Sequence, residues 1–506
     1  MNRTLIPSSF LYAFCIASAL AGTPPYRITD ILTADAPAAS RSKEWKPGAG
    51  IPLEVGGMDW MPDGRLAVVT RKGEIWMLAG VLSGKPEEIA FQRFASGLHE
   101  PLGALSDGDS LLVAQRSEVT RLRDTDGDGI ADEYRCAAGG WNVSGAYHGY
   151  AYGPKRDGKG NLWVTLNLDM GEHSDNTAPW RGWGGILAPT GAFLPMAAGM
   201  RSPCGIGTGP DGEMFCVDQQ GTWVPSTPIY HLRKGAFYLN PEGIAPAKLA
   251  GSPVRLSAKV PAKMPYPDAV KALPEMCPPA VWLPYNKMGR SGTDLLWCDA
   301  GGKFGPFDGQ MLVAEFTDAK VGRVFLEKIE GEYQGAAFPF LEGFASGIVR
   351  MLAAKDGSLL VGMTSRGWSS LGTKSYGLQR VQWNGDAVFA IREMRAKPDG
   401  FELVFTQPVD PATATDPASY EMTCYTYLYS SAYGSDEIQT APLRVLSASL
   451  APDGRSVRLR VEGLRPLFVH ELHAPALRSA GGAKLDHADA YYTLNRIPRP
   501  EGSATH

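Results

Sequence analysis

The side chains best suited to chemistry fall at recurring places along the chain. In MRSPCGIGTGPDGEMFCVDQQGTW (200–223), Arg201 stands ahead of a Pro-Asp-Gly turn, and Asp218, Gln219 and Gln220 come after it. Corresponding places elsewhere carry Arg71, His99, His148, Arg350 and Arg366. An imidazole exchanges protons near neutrality. A guanidinium keeps its charge and offers a planar fork to oxygen atoms. Gathered in one concavity, such groups would move a proton and stabilise developing negative charge. Each also has a structural reading: His148 as a satisfied histidine before a strand, Arg201 as a loop ion pair, and His99 as a loop residue.

A second pattern suits a hard cation. Asp124, Asp126, Asp128 and Asp132 occupy positions one, three, five and nine of a loop, with Gly129 at six and the carbonyl of Ile130 at seven. That spacing wraps a chain around Ca2+ in a structural role. Position twelve is Arg135, so the bidentate acid of an EF-hand is missing, and a solvated acidic turn is the competing reading. Trp180 and Trp183 (HSDNTAPWRGWGGI) could stack on sugar rings at a channel mouth or fill the core of a long loop.

Positioning these residues is the task of a repeat. GMDWMPDGRLAVVT, PLGALSDGDSLLVA, GYAYGPKRDGKGNLWVT, GIGTGPDGEMFCV, GPFDGQMLVAEF and VRMLAAKDGSLLVG each place an apolar segment, a tight turn and an apolar strand in series. Asp-Gly supplies the positive-φ positions that a hairpin needs, and alternation in the strand lets one face pack. The recurrence matches the roughly 40–50 residues of a four-stranded propeller blade. Six copies predict a six-bladed β-propeller over residues 45–387, with a Pro-rich insertion between the fourth and fifth. From Val388 the motif ends, and residues 388–496 read as a small Ig-like β-sandwich. The expected class is all-β, with residues 497–506 a disordered tail.

Composition sets the outer limits. With 49 basic and 53 acidic side chains in 506 residues and no basic run, the chain is not built for nucleic acid. Residues 1–21 (MNRTLIPSSFLYAFCIASALA) have the charged, apolar and A-x-A regions of a secretory signal, predicting a periplasmic or secreted protein. No later segment is apolar enough for a membrane span. Six cysteines remain after the signal; Cys204 and Cys216 flank one turn and could pair or simply be buried. There is no C-x-x-C-H haem motif.

The segment GMDWMPDGRLAVVTRKG resembles the opening blade of the soluble quinoprotein sugar dehydrogenases, the glucose/sorbosone dehydrogenase superfamily. HGYAYGPKRDGKGNLWVT and RSPCGIGTGPDGEMFCVDQQG are similar to later motifs of that family, in the right order, across residues 50–385. A nearer likeness is to secreted propeller proteins of planctomycete and verrucomicrobial type, carried by ASGLHEPLGA, DQQGTWVP (218–225) and Arg366-Gly367-Trp368. Many of those continue into a c-type cytochrome segment, which this sequence does not contain. The resemblance implies oxidation of a sugar or polyol with pyrroloquinoline quinone (PQQ) and Ca2+. His148 would be the general base and Arg201 the stabiliser of charge on the quinone. Arg71, Asp218, Gln219, Gln220, Arg350 and Arg366 would contact the cofactor, Trp180 and Trp183 the sugar. Electrons would leave to a separate carrier such as a cytochrome c. Ser202 and Cys204 depart from the family motif, which commonly has Asn and a polar residue there. Two other classes stay open: a non-catalytic propeller binding a glycan or a protein, and a calcium-dependent lactonase-like hydrolase with Asp218, Gln219 and Gln220 as metal donors.

Overall fold

The computed structural model describes residues 24–33, 53–85, 88–170, 178–365 and 367–500. The signal segment, Arg366 and the last six residues lie outside these. Apart from short helical turns the described chain is strand and loop. The repeat of the sequence becomes a ring of antiparallel meanders. Their innermost strands are Val55–Trp60, Ala104–Asp107, Ala151–Arg156, Gly205–Thr208, Gly292–Cys298 and Ile348–Ala353. They touch in that cyclic order, and the last meets the first. This is a β-propeller arrangement.

The expectation of six equivalent blades needs correction. Five meanders are self-contained four-stranded sheets. The one that starts at Gly292–Cys298 is not, because its outermost strand, Glu332–Leu341, pairs with Asp489–Leu494. It therefore belongs to a twelve-stranded sheet that runs on through the C-terminal strands. The propeller also begins earlier than residue 45. Tyr26–Thr33 pairs with Tyr376–Trp383 and supplies the outer strand of the last blade, so the ring is closed by hydrogen bonds between distant parts of the chain.

Burial refines the strand reading. The second strand of most meanders is buried on both faces: Leu66–Thr70, Ser110–Ala114, Met214–Val217, Gln310–Glu315 and Leu359–Thr364 have no exposed position. One-sided packing was the expectation, but a blade is covered by a neighbour on each side, and continuous runs such as MFCV satisfy that better than alternation. The turns fix the spacing between blades. Asp211 and Gly212 both take positive φ (57° and 69°), and a Cβ on Gly212 would lie 2.5 Å from the Cα of Gly158 in the adjacent blade's turn. Only glycine tolerates that approach.

The C-terminal strands form two layers around Met394, Phe401, Leu403, Leu459, Leu472 and Tyr492, with Phe325, Ala336 and Phe338 of the merged meander in the same core. Tyr425, Tyr427, Tyr429 and Tyr491 are buried in the cluster that also holds Tyr266 of the Pro-rich insertion and Trp282 of the fourth meander. The insertion is thus the seat of the C-terminal domain. All six described cysteines are free, so the Cys204–Cys216 disulfide is absent. Cys216 sits in the interior near Met200, and Cys204 faces the propeller axis. No helix among the described residues is long and apolar enough to cross a membrane.

Candidate functional site

On one face of the ring the strand entrances surround an open cavity. Every meander contributes to it. Val55 and Arg71 come from the first, Leu102 from the second, and His148, Tyr150, Tyr152 and Asn167 from the third. The fourth gives Arg201, Ser202, Cys204 and Gln219, the merged meander Ser291, Thr293 and Phe316, and the last Val349, Thr364 and Trp368. Tyr433 reaches in from the C-terminal domain. Among the described residues basic and neutral groups line this space, and no carboxylate does.

Arg201 is placed by Asp218. That carboxylate, fully buried, accepts the backbone N–H groups of Arg201 (2.7 Å), Ser202 (2.5 Å) and Gln219 (2.8 Å). Burial pushes its pKa up to about 6, against the pull of those three donors. Asp218 therefore folds the loop and does not meet the cavity. Arg201's guanidinium lies over the ring of Tyr433, 5.3 Å from its centroid, and its Nε is buried without a hydrogen-bond partner. A partnerless buried donor beside a carboxylate-free cavity is suited to an anionic oxygen.

His148 lines the same cavity, its ring 5.9 Å from that of Trp368 and edge-on to Tyr147. Its Nδ1 is buried and without a partner. Burial lowers the imidazole pKa below its ordinary 6.5, and the charges of Arg201, Arg116 and Arg71 act in the same direction; a backbone contact at Met170 opposes them. The ring is thus neutral at pH 7, the form a proton acceptor requires. Beside it, Arg71 donates to the hydroxyls of Tyr147 (2.9 Å) and Tyr150 and pairs with Glu100 at 3.3 Å. Glu100 also binds Arg116 at 2.6 Å. Arg181 donates to the carbonyl of Tyr150 at 2.9 Å, which fastens the His148 segment from below.

Of the residues singled out in the sequence, Arg71, His148, Arg201 and Gln219 converge here. The others go elsewhere. Gln220 is buried with its amide on the Pro225 carbonyl (3.1 Å). With Asp218 committed to backbone amides as well, the metal donors of a lactonase-like site do not assemble. Arg350 lies below the cavity, bound to the carbonyls of Leu102, Thr293 (2.9 Å) and Val349 (2.7 Å) and near Cys204 Sγ (3.7 Å). It staples meanders across the axis. Trp183 is fully buried, its indole N–H on Gly243 at 2.7 Å, and Trp180 packs against it. They are core residues, not a sugar platform. His99 is on an exposed loop outside the lining. Arg366 lies outside the described residues.

Sequence reading missed Tyr147, Tyr150, Tyr152, Asn167, Trp368 and Tyr433. Tyr150, Tyr152 and Trp368 stand within the quoted motifs, where aromatic residues of a strand-rich chain read as core. Tyr433 carries no local signal. Away from the cavity, Asp124, Asp126 and Asp128 bring carboxylate oxygens within 4.8 Å of one another, while Asp132 is turned to Thr125.

No family model matches the chain and no curated protein matches it. Among solved structures it is similar to a putative oxidoreductase (glucose dehydrogenase) of Thermus thermophilus, at 17% identity and a TM-score of 0.49, over 70% of this chain and 99% of that one. It is similar also to the PQQ-bound aldose sugar dehydrogenase of Streptomyces coelicolor (14%, TM-score 0.45, 71% and 98%). A third is the soluble aldose sugar dehydrogenase of Escherichia coli in the apo-form (13%, TM-score 0.46, 71% and 100%).

Proposed function

We propose that the axial cavity binds PQQ and that the protein oxidises a sugar or polyol there. The observation that carries this reading is the meeting of a neutral histidine and an arginine whose Nε has no partner in one cavity, whose described lining holds no acidic group. The donor set fits a flat, polycarboxylate quinone: Arg201, Arg71, Asn167 and Gln219 would hold its oxygens. When bound, the quinone would supply the hydride acceptor. His148 takes the proton of the substrate hydroxyl, and its depressed pKa keeps it free to do so at neutrality. Arg201 stabilises negative charge, with no carboxylate among the described lining residues to compete for it. Val55, Leu102, Phe316 and Val349 exclude water from the apolar side.

The further parts of the reading are an exported protein, an Ig-like C-terminal module, and a separate electron carrier such as a cytochrome c. Ca2+ belongs at Asp124, Asp126 and Asp128 with the Ile130 carbonyl, where three carboxylates lie within 4.8 Å of one another.

The test is a titration of the full chain with PQQ, with and without Ca2+, followed by tryptophan quenching and then by dye reduction with a panel of sugars and polyols. Saturable binding is expected in the wild type and in His148→Ala, with turnover lost only in the variant. Absence of quenching under both conditions overturns the reading.

A further inference from the structure

Tyr433 stands in the cavity lining although it belongs to the C-terminal domain, and its placement is fixed by backbone. The loop after Glu421–Tyr429 forms a bridge from Tyr433 to Thr222. Gly434 N–H donates to the Gly221 carbonyl at 3.0 Å and Ser435 N–H to that of Pro225 at 3.0 Å. Gly434 has φ 68°, and a Cβ there would come 2.7 Å from the Gln220 amide nitrogen. The loop is therefore seated on the DQQGTWVP segment, whose Asp218 also sets Arg201. Behind it Tyr429 donates to the carbonyl of Leu239 and is fully buried. Against this anchoring, the Tyr433 side chain itself is 67% exposed. Its only ring partner among the described residues is the guanidinium of Arg201.

A large aromatic ring left open on a rigid loop, at the rim of a polar cavity, has unused apolar area facing solvent. Trp368, 49% exposed, offers a second such surface in the same lining. A ring-form sugar presents a continuous C–H face that stacks on such surfaces, whereas an acyclic polyol does not hold one. We propose that the C-terminal domain completes the site, and that Tyr433 is a specificity-determining residue that favours ring-form sugars. This rests on the sugar-oxidising reading of the cavity. It also explains why the domain is joined to the propeller through both a shared sheet and the Pro-rich insertion: a wall of the site has to be held to within a fraction of a side chain.

The experiment compares Tyr433→Ala, Tyr433→Phe and Gly434→Ala with wild type, all as full chains checked by circular dichroism. Binding of an aldopyranose and of an acyclic polyol is measured by calorimetry on the unloaded protein, and KM and kcat for both on the PQQ-loaded protein. Tyr433→Ala is expected to weaken ring-sugar binding and raise its KM by roughly 2- to 10-fold, with a smaller effect on the polyol. Tyr433→Phe restores the ring-sugar values, and Gly434→Ala reproduces the alanine effect by unseating the loop. Equal effects on both ligands, or none on either, overturn the role of Tyr433. Failure of the wild type to bind PQQ overturns the oxidising reading instead, and the calorimetric arm then still decides whether Tyr433 sits in a sugar site.

Discussion

Arg350 lies within the inner strand Ile348–Ala353 and Arg201 just ahead of the inner strand Gly205–Thr208, and the two do opposite things. Arg350 meets the floor of the cavity, where carbonyls of three separate segments converge, and gives its protons to them. Arg201 meets the mouth, where its guanidinium lies over an aromatic ring. The repeat supplies the same residue type twice; depth along the axis decides whether it holds the ring of blades together or waits for a ligand. Trp183 and Trp368 form a second such pair, one sealed in the core with its N–H bonded, the other half exposed over His148.

Three experiments press on this contrast. Arg350→Met is expected to cost about 3–5 kcal/mol of stability in urea unfolding, because it strands buried carbonyls and removes one of the positive charges near the buried Asp294. Arg201→Met should unfold near the wild-type midpoint while losing PQQ binding. Similar midpoints for the two variants would break the distinction. Next, Trp183→Ala should cost about 3–5 kcal/mol through the cavity it leaves and spare the sugar KM of whatever fraction folds. Trp368→Ala should cost less than about 1 kcal/mol and raise KM; a reversed pattern would return the sugar platform to Trp183.

The third test is a pH dependence. The folded pKa of Asp218, about 6, lies above its ordinary 3.8, so the native state holds this proton more tightly than the unfolded chain. Stability from this group is complete below the ordinary value and is lost as pH rises through about 6, a change of about 3 kcal/mol at most. Asp218→Asn should flatten that part of the stability curve. Unchanged curvature would mean that the three backbone amides hold the carboxylate ionised throughout.

The repeat, the hairpin turns and four of the cavity residues were legible in the sequence because each is a local matter. An Asp-Gly turn needs positive φ wherever it occurs, and a periodic motif carries its polar residue to the same end of each strand. Arg71, His148, Arg201 and Gln219 follow from that periodicity. Asp218 and Gln220 were misread because their neighbours in sequence do line the cavity; a strand alternates its faces, and the loop's own amides claimed Asp218. Trp180 and Trp183 look like a binding motif in one dimension and prove to be the filling of a loop core.

What the sequence by itself determined was a closed family of β-meanders with charged groups gathered at one end of their strands, since period and turn chemistry act over short stretches of chain. Tertiary structure alone decided the rest. It merged one meander with the C-terminal strands, brought Tyr26–Thr33 to the last blade, and carried Tyr433 to Arg201 from a distant part of the chain. Those outcomes depend on which apolar faces find one another, and no local pattern records where a distant face lies.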